Sequence, residues 1–246
     1  MTSTSQRFFS ILCGLLLIIG GVILNWSGSG HPSTDFDLPG NEPVVIEYWR
    51  AFAEVVVQRT DWSAMHTGIL VGPVLWALGA VGAGQMLRAR GERDFSSLGS
   101  LALAMGGVLW VVTFVFDGII AVDHAETVVA SGPAELAVAI APLRAAEHAT
   151  LRLGLVAWIL IGVGVAAFAY SLIVSSKLSH PMLRWGLGVS GILLGLWPLV
   201  AMATGLFLPG PFTSPLWLPT VVLTSVWFSG LGVMLMAQAF RRRPVR

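Results

Sequence analysis

Residues 144–175 read RAAEHATLRLGLVAWILIGVGVAAFAYSLIVS, and the reading of the whole chain works outward from this stretch. A polar opening with Arg144, Glu147, His148 and Arg152 runs into an apolar stretch. That stretch is long enough to cross the roughly 30 Å of bilayer hydrocarbon, which takes about 20 helical residues. Windows at about 8–25, 63–87, 97–122, 185–208 and 215–239 meet the same requirement. Of the 246 residues, 55% are hydrophobic and only 11% are charged, with a mean hydropathy of +0.80. A soluble domain carries about a quarter charged residues. The expected fold is therefore all-α: a polytopic transmembrane bundle of six helices forming a single integral membrane domain, 1–246, with one or two amphipathic helices on its outer face.

Orientation follows from the basic residues, which are retained on the cytoplasmic side. Ten of the fourteen fall on one side of the spans: Arg7, Arg88, Arg90, Arg93, Lys177, Arg184, Arg241, Arg242, Arg243 and Arg246. The other side holds Arg50, Arg59, Arg144 and Arg152, together with eleven of the thirteen acidic residues. This places both termini in the cytoplasm. Arg7 followed by an apolar run resembles a signal peptide, but Asn25-Trp26-Ser27-Gly28 offers no small-x-small cleavage site, so the run reads as a retained helix.

The largest outer segment, 26–62, opens as a loop rich in Gly, Ser and Pro. From Pro43 to Arg59 it turns helical, with Val45, Tyr48, Trp49, Phe52, Val55 and Val56 on one face and Glu47, Arg50 and Glu54 on the other. It reads as an amphipathic helix at the interface, placed to act as a lid. A second outer segment, 125–143, has a break at Gly132-Pro133 and Glu135 suited to the next helix's first turn. Pro142 is expected to kink that helix or separate it from the fourth span.

Several motifs dissolve on inspection. Gly186-Leu187-Gly188-Val189-Ser190-Gly191 matches a dinucleotide-binding fingerprint, but it lies inside the fifth apolar run, where no strand precedes it. With Gly195, and like Gly68 and Gly72 in the second span, it reads as a small-residue stripe for close helix packing. Trp26, Trp62, Trp185 and Trp217 near span ends read as interfacial anchors. No HExxH, GxSxG, P-loop or CxxC is present, and the lone Cys13 has no partner for a disulfide. The Arg241–Arg243 cluster abuts a span end and reads as a topology determinant; no nucleic-acid partner is expected.

The chemistry-bearing residues gather near one end of the bundle. Counted along each helix at 1.5 Å per residue, His66 lies about 6 Å below an interface at Trp62 and His148 about 7 Å below one at Leu143. By the same count Asp117 lies about 10 Å below His124, and Arg152 about 13 Å below Leu143. Asp117, Ala121 and His124 follow at i, i+4 and i+7, while Arg144, His148 and Arg152 form an i, i+4, i+8 stripe. The two stripes are expected to face each other, with Asp117 and Arg152 as an ion pair, since either charge alone in hydrocarbon costs at least ~2.5–3.5 kcal/mol. A sharper reading makes His66, His124 and His148 a metal-ligand set with Asp117, and with Asp123 or Glu147 as alternative carboxylates. Imidazole suits copper, zinc or iron. His66 and His148 at equal depth are alternatively the axial pair of a b-type haem. The plain alternative is that each imidazole caps a helix end or bonds a neighbour. His31 and His180 lie too far away to join.

Phe116-Asp117-Gly118, the Gly132-Pro133-Ala134-Glu135 break and Ala145-Ala146-Glu147-His148 resemble an uncharacterised family of small six-helix bacterial membrane proteins of unknown function, over about the middle half of the chain. The resemblance implies a bacterial cytoplasmic-membrane location and no activity. The leading functional expectation is a small accessory or scaffolding subunit of a larger membrane complex, partnered by lipid and other membrane subunits, whose outer polar layer is structural or holds a metal or haem. A redox or metal-dependent enzyme subunit acting on a lipid or quinone-like substrate is the second reading. A small-solute carrier, with helix breaks at Pro73 and Pro198, is the third.

Overall fold

The computed structural model describes residues 3–30, 46–89, 91, 94–175, 181–207 and 217–241. Eight α-helices follow one another among them: α1 (Ser3–Ser29), α2 (Ile46–Gln58), α3 (Trp62–Arg88), α4 (Asp94–Val115), α5 (Ala121–Ala130), α6 (Leu136–Val174), α7 (Pro181–Phe207) and α8 (Trp217–Arg241). A single π turn, Phe116–Ile120, joins α4 to α5 without breaking the rod. Among the described residues there is no strand, and six helical segments are long and apolar enough to cross a membrane.

The spans close into a ring. Each packs on its neighbours in the chain, α1 on α3, α3 on α4, α4 on α6, α6 on α7 and α7 on α8, and α8 returns to α1. Small residues set the closest approaches, as backbone packing without a hydrophobic drive requires. A Cβ on Gly72 would stand 2.7 Å from the Gly20 carbonyl oxygen of α1, and one on Gly195 would stand 2.5 Å from the Gly162 carbonyl oxygen of α6. The nucleotide-like glycine run does the same: Gly191 faces Ala169 and Trp227, and Gly188 faces Ile173. Aromatic rings fill the ring's interior. Trp76 stacks on Phe228 at 4.7 Å, and Trp110 meets Trp158 edge-on at 5.4 Å. Between them Pro73, Trp76, Leu103, Gly107, Ile161 and Phe228 line a cavity of only about 10 Å³, room for one water at most.

Two rods are longer than any bilayer needs. The α4–α5 rod runs 37 residues and α6 runs 39, roughly 55 and 58 Å, against about 30 Å of hydrocarbon. The segment 125–143 is the tip of a helical hairpin, long enough to stand beyond a bilayer, turned at Ser131–Glu135 as the Gly132-Pro133 signal predicts. Helix α2 lies on this hairpin, burying Trp49, Ala53 and Val56 against α5 and α6. Those helices present Ala125, Val128, Leu136, Ile140 and Leu143. The amphipathic helix is thus part of a protein cap, where the sequence pattern suggested one resting on lipid.

Pro142 does not separate the cap from the fourth span, because α6 passes through it unbroken, as α3 passes through Pro73 and α7 through Pro198. A proline removes one intrahelical hydrogen bond. Leu136, Ile140 and Leu143 are buried on either side of Pro142, so the helix stays packed across that loss.

Candidate functional site

The site lies at the seam between ring and cap. The far end of the ring carries Arg7, Arg88 and Arg184. Measured from that end, His66 stands about 33 Å along α3 from Arg88, Asp117 about 35 Å along its rod from Asp94, and Arg152 about 33 Å along α6 from Val174. A 30 Å hydrocarbon slab laid from that end reaches just to this level. Counting inward from Trp62, His124 and Leu143 set the polar layer too deep, because two of those residues belong to the cap.

Local geometry starts at the π turn. The first turn of α3 donates to two main-chain carbonyls there: Trp62 Nε1 to the Asp117 carbonyl at 3.0 Å, and Ser63 Oγ to the Gly118 carbonyl at 3.0 Å. The stitched segments come so close that a Cβ on Gly118 would stand 2.5 Å from His66 Cβ. Glycine at 118 is what lets His66 reach the carboxylate one residue earlier.

His66 and Asp117 are both buried, and Nε2 lies 3.1 Å from Oδ2. The approach is off the ring's N–H axis, a close electrostatic contact more than a linear hydrogen bond. Trp62 stacks on the imidazole at 4.5 Å and Phe114 tilts against it at 5.7 Å. Nδ1 lies 2.8 Å from the Trp62 carbonyl, which only accepts, so this network assigns the proton to Nδ1. One more proton then belongs between Nε2 and Oδ2. Without it, two lone-pair-bearing atoms would oppose each other at 3.1 Å; with it, the pair is imidazolium–carboxylate or its neutral tautomer.

Glu147 of α6 completes the cluster, within electrostatic range of Asp117 below it and of Tyr48 of α2 above it. Among the described residues, Oε1 of Glu147 and Oγ1 of Thr150, one turn on, are buried without a hydrogen-bond partner. The Tyr48 phenol is pushed up to about 12 by burial first and by the Glu147 charge second.

The expected ion pair between Asp117 and Arg152 is not what the structure shows: Asp117 pairs with His66 on α3. The inward positions of α6 are Leu143, Ala146, Gly154 and Leu155, with the Glu147 Oε1 enclosed beside them. Arg144, His148 and Arg152 lie one residue round, about 100° away, and His148 and Arg152 are exposed. The imidazole of His148 stands beside Trp49 at 6.4 Å. His124 is displaced as well, because the π turn advances the register and gives the inward place to Ala125, fully buried where His124 is half-buried. Asp123 is exposed. Of His66, His124, His148 and Asp117, only His66 and Asp117 are brought into contact. Among the described residues no group of three or more His, Cys, Asp or Glu side chains is placed to hold a metal ion.

Glu147 is among the carboxylates that the sequence offers, whereas the contribution of Tyr48 and the stitching by Trp62 and Ser63 are not legible in spacing alone. The one local signal is Gly118 directly after Asp117. No protein-family model matches this chain, and no curated protein or solved structure matches it.

Proposed function

We propose that this is a multi-pass protein of the bacterial cytoplasmic membrane, with both termini in the cytoplasm. On this reading it is a small component of a larger membrane assembly whose working site is a proton-binding cluster at the outer membrane surface. The observation that carries it is the His66–Asp117 contact, in which one ring nitrogen is committed to a carbonyl and the other meets a carboxylate across 3.1 Å. Glu147 offers a second carboxylate, and Tyr48 a hydroxyl on the cap side. Proton exchange at such a cluster changes the charge held at the seam, which is the kind of local event that biases how a cap sits on a bundle. The aromatic filling of the ring favours this one-ended reading over a carrier, because Trp76, Trp110, Trp158 and Phe228 fill the interior through which a solute would pass. A metal or haem at His66 would bind through Nε2, displacing or sharing Asp117, while Nδ1 kept its bond to the Trp62 carbonyl.

Infrared difference spectra of the protein in liposomes, taken across pH, test the reading. Subtracting the Asp117→Asn spectrum from the wild type should isolate one carboxyl band against the other acidic residues, and His66→Asn should shift that band. A band at Asp117 indifferent to His66→Asn would refute it.

A further inference from the structure

The stripe that turned away from the cluster has its own chemistry. From the far end of α6, Arg152 stands at the edge of the hydrocarbon and His148 about 6 Å above it, within the headgroup layer; Arg144 follows one turn higher. His148 and Arg152 are exposed, and the imidazole feels the charges of Arg144 and Arg152, which places all three on one face. Trp49 of the cap stands at the edge of the His148 ring. Below Arg152 the same face continues with Val156, Ile159 and Val163, exposed or half-buried and wholly apolar. A basic head above an apolar track, at the height where headgroups give way to acyl chains, has the shape and charge order of a phospholipid.

We infer that this face of α6 is a binding site for an anionic phospholipid in the leaflet on the cap side. Arg152 and His148 hold the phosphate, and an acyl chain lies along Val156, Ile159 and Val163. Charge complementarity selects this occupant: the exposed Arg152 at the hydrocarbon edge is stabilised by an anionic headgroup, an arginine near the surface favouring it about fivefold, while the His148 imidazole adds a hydrogen-bonding group. The acidic residue of this helical turn, Glu147, has its Oε1 enclosed on the inner side and does not neutralise the stripe. The site is independent of the proton-binding reading.

The test uses the full-length protein in nanodiscs of phosphatidylcholine with a minor fraction of phosphatidylglycerol, followed by native mass spectrometry of the lipids that stay bound. Wild type should retain phosphatidylglycerol over phosphatidylcholine, and Arg152→Gln with His148→Gln should reduce that preference by about fivefold. Melting in pure phosphatidylcholine should be the same for variant and wild type, which separates lost binding from lost folding. Equal retention of the two lipids by wild type would overturn the site. So would a phosphatidylglycerol preference that survives the double substitution, or in-membrane crosslinking that fills this face with an acidic protein partner.

Discussion

Replacing Gly118 by alanine puts the site's geometry under direct load. The added Cβ would lie 2.5 Å from His66 Cβ and 3.3 Å from its Cγ, where carbon atoms rest at about 3.5–4.0 Å. No rotamer change relieves a clash between two Cβ atoms, so α3 and the π turn must part by about 1 Å. That movement takes the Trp62 Nε1 and Ser63 Oγ bonds, both 3.0 Å, out of hydrogen-bonding range. Two hydrogen bonds at about 0.5–1.5 kcal/mol each, with some residual overpacking, give an expected loss of roughly 2–4 kcal/mol. The matched control is Gly186→Ala in α7, where an added Cβ meets nothing within 4 Å, so helix propensity alone should leave stability unchanged or raised by up to about 1 kcal/mol. Equilibrium unfolding in mixed detergent micelles reads both variants. If Gly118→Ala were as stable as Gly186→Ala, the close stitching of α3 to the π turn would be wrong.

Three further outcomes follow from the same geometry. Asp117→Asn and His66→Asn should each destabilise the protein by about 1–3 kcal/mol, and the double variant should lose clearly less than both together; additive losses would show that the residues do not interact. Ala53 of α2 is fully buried on the face that meets the hairpin, so Ala53→Glu should release the helix and speed tryptic cleavage at Arg50 and Arg59, and an unchanged rate would argue against a docked cap. Tyr48 is one of only two tyrosines, and its raised pKa makes its contribution to stability complete below pH 10, its ordinary value, and lost as pH rises towards about 12. Glu147→Gln should move that tyrosinate transition downward without returning it fully to 10, because burial is the larger cause; an unmoved transition would separate Glu147 from Tyr48.

Hydropathy made the spans legible because a bilayer leaves few alternatives to a long apolar helix. The six windows and the helix around Trp49 correspond to the described helices, and the turn at Gly132-Pro133 falls where its residues indicate. The cap was harder to read, since α5 and the start of α6 differ from neighbouring membrane helix only by scattered charges such as Asp123, Glu126 and Arg144. Polar residues at similar depth were visible; their facing was not. A π turn alters the rotation per residue, which is why Ala125 displaced His124, and the facing of α6 was set by Leu143 and Leu155 seeking the interior, which carried Arg152 outward and Glu147 inward. Asp117 therefore found an imidazole on α3 in place of a guanidinium on α6.

Nitrogen-15 spectra of the labelled imidazoles, with His66 assigned through His66→Asn, reach the shared proton most directly. The geometry predicts that His66 Nδ1 carries hydrogen throughout, while the Nε2 resonance moves with pH and moves again in Asp117→Asn. A bare Nδ1, or an Nε2 signal indifferent to Asp117, would contradict it.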